Sequence, residues 1–166
     1  YPPTNILWGV QCWPRMVSLA WANGNGTITQ LVVKPNGYTI PAAATKIHGI
    51  SHYDAVQRGI PVEKVLDALM TVLQTNSIQA IAAYNWEFDY GVLAAEAWRC
   101  DHPVAQLLNS IQWCCVMRMA MAHFKRSRPL SLTDAHKQLC RDKHTPRFHT
   151  AGGDVIAARR VMRSTP

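Results

Sequence analysis

Ile78-Gln79-Ala80-Ile81-Ala82-Ala83-Tyr84-Asn85-Trp86-Glu87-Phe88-Asp89 sits in the middle of this 166-residue chain and decides how the rest is read. Ile78 to Ala83 is a short run of small and apolar residues, the composition of a buried strand, and it feeds directly into Asn85. Asn is a preferred helix cap, so a helix is expected from there to about Trp98. A strand that ends where a helix begins is an α/β unit, and ligands collect at the carboxyl ends of such strands. Asp89 follows Asn85 by four residues, one helical turn along and on the same face. A plainer role for Asp89 is that of a solvated first-turn acid, since acids favour helix starts.

Working toward the amino terminus, Arg15 to Ala22 and Thr27 to Lys34 are strand-like. Asn23-Gly24-Asn25-Gly26 between them is a hairpin signal, because Asn and Gly tolerate positive φ. Ile6 to Val10 reads as a buried strand before them, completing an antiparallel meander of three. Pro35-Asn36-Gly37 and Pro41 break the chain ahead of a short helical piece, Ala42 to Ile47. Beyond Pro61, residues Val62, Val65, Leu66, Leu69, Val72 and Leu73 follow helical spacing. Toward the carboxyl terminus, helices are expected over Val104 to Ile111, Cys114 to Phe124 and Leu132 to Cys140, the last capped by Ser131. A final helix runs from about Gly152 to Met162, opened by Thr150 or a neighbour. His149 precedes it and Asp154 lies in its first turn; Gly152-Gly153 permits close approach of another backbone or a ligand.

In order along the chain, several segments resemble the DEDDh 3′-to-5′ exonucleases, the family of the DNA polymerase III epsilon subunit. They are Ile6-Leu7-Trp8-Gly9-Val10, Pro14 to Trp21, Thr45-Lys46-Ile47-His48-Gly49-Ile50-Ser51, Asn85-Trp86-Glu87-Phe88-Asp89, and His149 with Asp154. The resemblance implies a ribonuclease H-like α/β fold over residues 1–166 as a single domain. Its mixed sheet would have three antiparallel strands and then parallel strands, flanked by helices. It implies that His149 is the general base and that Asp89 and Asp154 are metal ligands. It places Ile47, His48 and Gly49 in the terminal-nucleotide pocket, with Asn85 beside the bound strand.

The intact family site uses four carboxylates to hold two hard cations, magnesium or manganese, at the scissile phosphate. Here the positions matching the first-strand Asp-x-Glu are Val10 and Cys12, and the first 53 residues contain no Asp or Glu. An alkyl group and a thiol are poor ligands for magnesium. The two retained acids are expected to hold at most one weakly bound ion.

Charge is uneven. Met117 to Arg163 carries eleven Lys or Arg against three Asp, net +8, while the remainder is net −1, giving the chain its +7. Lys125, Arg126 and Arg128 form the densest cluster, followed by Arg141, Lys143 and Arg147, then Arg159, Arg160 and Arg163. Such a face suits the phosphate backbone of DNA or RNA; a solvated basic surface or a dock for an acidic protein is the alternative. Five cysteines in no framework spacing argue against a disulfide scaffold and for a reducing cytoplasm. Cys114 and Cys115 are expected to be packed in the interior. His136, Cys140, His144 and His149 form a weak zinc-like series. With 48% hydrophobic residues but no apolar run of 18 or more, and no leader-like start, a globular domain without a membrane span is expected.

Three functions fit these features. One is a degenerate exonuclease domain that binds nucleic-acid ends, with Lys125, Arg126 and Arg128 tracking the backbone. A second is an active nuclease with an altered metal site. A third is a protein-interaction subunit that kept the fold, with an apolar surface around Trp8, Trp13 and Trp113. The bland roles for the retained residues are helix capping by Asp89 and Asp154 and a buried hydrogen bond for His149.

Overall fold

The computed structural model describes residues 10–140 and 145–165. The hairpin forms as expected: β1 (Ser18–Ala22) pairs antiparallel with β2 (Ile28–Val32), Ser18 opposite Val32 and Ala22 opposite Ile28. Its turn is closed by Gly26 N–H to Asn23 O at 2.8 Å and Asn23 N–H to Thr27 O at 3.0 Å, with Gly26 at φ +92°. Both strands are shorter than the sequence suggests. Val33 leaves the ladder for a lone parallel bridge to Ile60. Most of the third strand of the meander, Ile6 to Gly9, lies outside the described residues. Its last residue, Val10, belongs to a 3-10 turn, Val10–Cys12.

α1 (Ala42–His48), α2 (His52–Arg58) and α3 (Val62–Thr75) follow. α2 has little apolar periodicity, burying only Ala55, but it has a cap that reads from sequence in hindsight. Ser51 Oγ accepts the Asp54 N–H at 3.0 Å. β3 (Ala80–Ala83) then enters α4 (Trp86–Arg99), which corrects the expected buried strand from Ile78: the strand is shorter, with Ala80 and Ala82 exposed and Ile81 and Ala83 half-buried.

After α5 (Val104–Ser110), Gln112–Cys115 forms β4, parallel to β3 with Ala80 opposite Gln112 and Ala83 opposite Cys115. This corrects the helix expected from Cys114: α6 starts only at Val116 and ends at His123. It also corrects the cysteines' packing. Strand alternation turns Cys114 outward to solvent and leaves Cys115 half-buried, its thiol donating to Tyr84 O at 3.5 Å. α7 (Leu132–Leu139) and α8 (Ala151–Ser164) complete the described fold.

The main core lies where α3, α4 and α5 meet the strands. Val65, Leu66, Leu69 and Leu73 bury one face of α3 against Leu93 and Val104. Each such side chain contributes roughly 1.5–3 kcal/mol on burial. A second cluster, Val116, Ala120, Leu130, Ala135 and Val161, joins α6, α7 and α8. No described helix is long and apolar enough to cross a membrane.

Glu96 fastens the amino-terminal segment to α4. Its buried carboxylate takes Arg15 Nε and the Met16 N–H, both at 2.9 Å, and Arg99 Nη1 lies 3.0 Å away without the alignment of a hydrogen bond. Arg99 Nη2 in turn donates to the carbonyls of Val10 and Trp13, the latter at 2.7 Å. Trp13 lies directly over Gly91, where a Cβ would stand 2.1 Å from its ring.

Candidate active site

The strand-to-helix junction sets Asp89 in the first turn of α4. Asn85 occupies the cap position, but at φ −127° and ψ 73° its side chain makes no capping bond, contrary to the sequence expectation. It is exposed at the carboxyl end of β3. Opposite, α8 opens as the sequence suggests: Thr150 caps it, its hydroxyl oxygen accepting the Gly153 N–H at 3.2 Å. His149 precedes the cap in the left-handed region, φ +64°, and donates its backbone N–H to Asp154 Oδ1 at 2.9 Å. The His149 side chain is therefore exposed rather than held in a buried hydrogen bond.

The two acids are close enough to repel. Asp89 is pushed up to about 6 by loss of surrounding water and then by the Asp154 charge, against the help of its own backbone N–H. Asp154 also rises through burial, opposed by the His149 N–H and ring. Asp89 remains accessible to solvent even so. Solvent contact of this kind screens the repulsion between the two acids.

The sign of the consequence follows. A carboxyl raised from 3.8 to about 6 in the fold favours folding only when protonated, so its favourable contribution is present below about pH 4 and lost as pH rises through 6. Asp89→Asn is expected to be more stable than wild type at pH 7 by about 1 kcal/mol, after discounting for solvent screening. Urea unfolding at pH 7 and pH 4 checks this: the advantage should shrink at the lower pH, and an equal difference at both would refute it.

Gly49 ends α1 at φ +80°, and its N–H returns to Thr45 O at 2.8 Å. Ile47 beside it is 65% exposed. His48 accepts the Ile50 N–H on Nδ1 at 3.1 Å, while its Nε2 is enclosed with no partner; burial lowers its pKa. Arg147 joins this segment to the His149 loop: its Nη2 lies 3.3 Å from where a Gly49 Cβ would be. Sequence reading had placed Arg147 only in a basic run. It missed Gln30 altogether, whose Oε1 accepts the Gly152 N–H at 3.1 Å and ties α8 to β2.

Other expected residues are not brought into the cluster. Lys125, Arg126 and Arg128 are exposed in the α6–α7 connection. Arg141 and Lys143 lie outside the described residues. So does His144 of the zinc-like series, while His136 is buried against the Phe148 ring, 5.7 Å between centroids. Of the apolar surface expected around the tryptophans, Trp13 covers Gly91, and Trp113 stacks on Trp86 at 6.0 Å, the stacked pair lining an open pocket with Tyr90 and Leu108; Trp8 is outside the described residues.

A pair of hard cations needs about six oxygen ligands each. Asp89 and Asp154 are two acids; the Val10 carbonyl is taken by Arg99, and Cys12 offers an exposed thiol. Among the described residues no group of three or more His, Cys, Asp or Glu gathers around one point. The donor set among the described residues does not fit a two-metal centre.

Comparison with known proteins adds the family. A family model described as exonuclease (RNase_T) matches residues 17–162. No curated protein sequence matches the chain. Among solved structures, a full-length 3′-exonuclease superposes with a TM-score of 0.67 at 14% identity, covering 90% of this chain and 82% of its own. A second has a TM-score of 0.62 at 11% identity, covering 91% and 80%; it is a 3′-exonuclease described in 3′-end-specific recognition of a histone mRNA stem-loop. At these identities the structures show the fold, a ribonuclease H-like mixed α/β arrangement. The family match spans most of the sequence, and this chain belongs to the RNase_T exonuclease family.

Proposed function

We propose that this domain binds nucleic-acid ends, DNA or RNA, with little or no nuclease activity, as the end-recognition part of a larger nucleic-acid-processing complex. The observation that carries the reading is a half-kept site. Asp89 feels the charge of Asp154, and Asp154 accepts the His149 N–H, the residues the exonuclease resemblance names, while the positions read as its first acidic pair carry Val10 and Cys12. In this reading Ile47, His48, Gly49 and Asn85 contact the terminal nucleotide, and Lys125, Arg126 and Arg128 attract the backbone from outside the cleft. Nucleic acid is favoured over a protein partner by the exposed Lys125, Arg126 and Arg128 and by the likeness to a 3′-exonuclease described in 3′-end recognition of an mRNA stem-loop.

Metal ions at such a site stabilise the transition state by several kcal/mol, and each 1.4 kcal/mol is a factor of ten in rate. Losing their bridging ligands is expected to lower turnover by about a thousandfold or more. The test is end-labelled single-stranded DNA and RNA incubated in magnesium or manganese, with gel shifts in EDTA. Salt-sensitive binding without shortening is expected. Shortening abolished by Asp154→Ala would instead mean a working metal site, and absence of both signals would turn the assignment to a protein-interaction role.

A further inference from the structure

We propose that Arg147 is the phosphate seat of this cleft, its guanidinium holding a phosphate of the bound strand without any divalent ion. The inference rests on the nucleic-acid reading above and names the residue that makes it possible. An uncompensated pair of acids repels a phosphate; at close range each unit charge counts for about 1 kcal/mol even in bulk water, and more at a protein surface. In the absence of a fitting metal centre, a cation from the protein has to offset them.

Arg147 is placed for that task by a rigid frame. Its carbonyl accepts the Thr150 hydroxyl at 2.7 Å, and Gly153 lies so close that a Cβ there would be 1.9 Å from the same oxygen. Two residues on, His149 is locked to Asp154. The backbone from 147 to 154 is thus fixed against the start of α8, which carries Asp154. From it the Arg147 side chain crosses to the end of α1, where Gly49 leaves room at φ +80°.

Among the described residues the guanidinium has no acid partner: carboxylates pair with Arg15, Arg58, Arg99 and Arg118, and none reaches Arg147. The residue as a whole is exposed, with Nη2 lying near Gly49. Five N–H donors in a planar fork match two phosphate oxygens at once, which a lysine ammonium does not. Lys125, Arg126 and Arg128, on the α6–α7 connection, provide long-range attraction and no fixed geometry.

The experiment titrates the domain into a fluorescent single-stranded oligonucleotide in EDTA across a salt series, with a magnesium arm in parallel. Wild type is expected to bind equally well in both arms. Arg147→Ala should weaken binding about tenfold and flatten the slope of log affinity against log salt by roughly 0.7, one phosphate contact on a single strand. Arg147→Lys should keep the slope and lose part of the affinity. Arg128→Ala should cost less than Arg147→Ala.

A merely structural role for Arg147 does not move the salt slope, and thermal unfolding of each variant monitors the fold. Should Arg147→Ala melt early, Arg147→Gln takes its place with the same expected outcome. Wild-type affinity and slope in the variant, while wild type binds, overturn the phosphate seat and leave the end-binding reading standing. Binding that needs magnesium also overturns it, since a metal then carries the phosphate. No binding by wild type defeats both.

Discussion

Glu96→Ala is expected to lower unfolding free energy by about 3–5 kcal/mol, the cost of breaking a buried ion pair from one side. Glu96 is 1% exposed, and its carboxylate accepts from both Arg15 Nε and the Met16 N–H, with Arg99 at its side. Removing it leaves the buried Met16 N–H without its acceptor and Arg99 without its counter-charge, held only by the Val10 and Trp13 carbonyls, while Arg15, a third exposed, can turn to water. Its second oxygen, Oε2, is enclosed without a partner, so the wild-type arrangement already carries a cost and the net worth of the pair is smaller than the truncation penalty. Glu96→Gln keeps an acceptor and should fall between wild type and alanine. Urea unfolding gives the numbers; a loss below about 1 kcal/mol for alanine would show that Trp13 on Gly91, rather than the carboxylate, holds the segment.

Glu96 also illustrates what could be read in advance. The Ile78–Asp89 junction, the Asn-Gly hairpin, the Thr150 cap and the α3 face were legible because each is a local pattern of propensity or period. β4 was not. Gln112-Trp113-Cys114-Cys115 lacks β-branched residues and turn signals and runs straight into α6, so a helix looked continuous. The anchors of the site are still less visible. Glu96 meets Met16 across 80 residues, and Gln30 meets Gly152 across 122; neither pairing leaves a local trace. Of the candidate site, the spacing that joins His149 to Asp154 was visible in the sequence, while the approach of Arg147 to Gly49 needed the folded chain.

Gly153→Ala separates these two kinds of information, because they predict opposite signs. Gly153 is inside α8, where alanine is favoured by about 1 kcal/mol on helix propensity alone. The fold argues otherwise. A Cβ at this position would lie 1.9 Å from Arg147 O, 2.7 Å from Arg147 C and 2.7 Å from Thr150 Oγ1. The first two are backbone atoms and cannot rotate away, so α8 and the 147–150 loop must part. Overpacking of this kind costs about 1–3 kcal/mol or more, and here we expect about 3, outweighing propensity. The loop that moves carries Arg147 and His149, so oligonucleotide affinity should fall at least about tenfold as well. Gly152→Ala meets only the flexible Gln30 amide, at 2.5 Å, and should cost less; Gly24→Ala meets nothing within 4 Å and should be close to neutral. Urea unfolding and oligonucleotide titration on the three variants test the ranking. A Gly153→Ala protein as stable as wild type would mean that the loop yields freely, and a loop that yields cannot hold His149, Asp154 and Arg147 in a fixed arrangement.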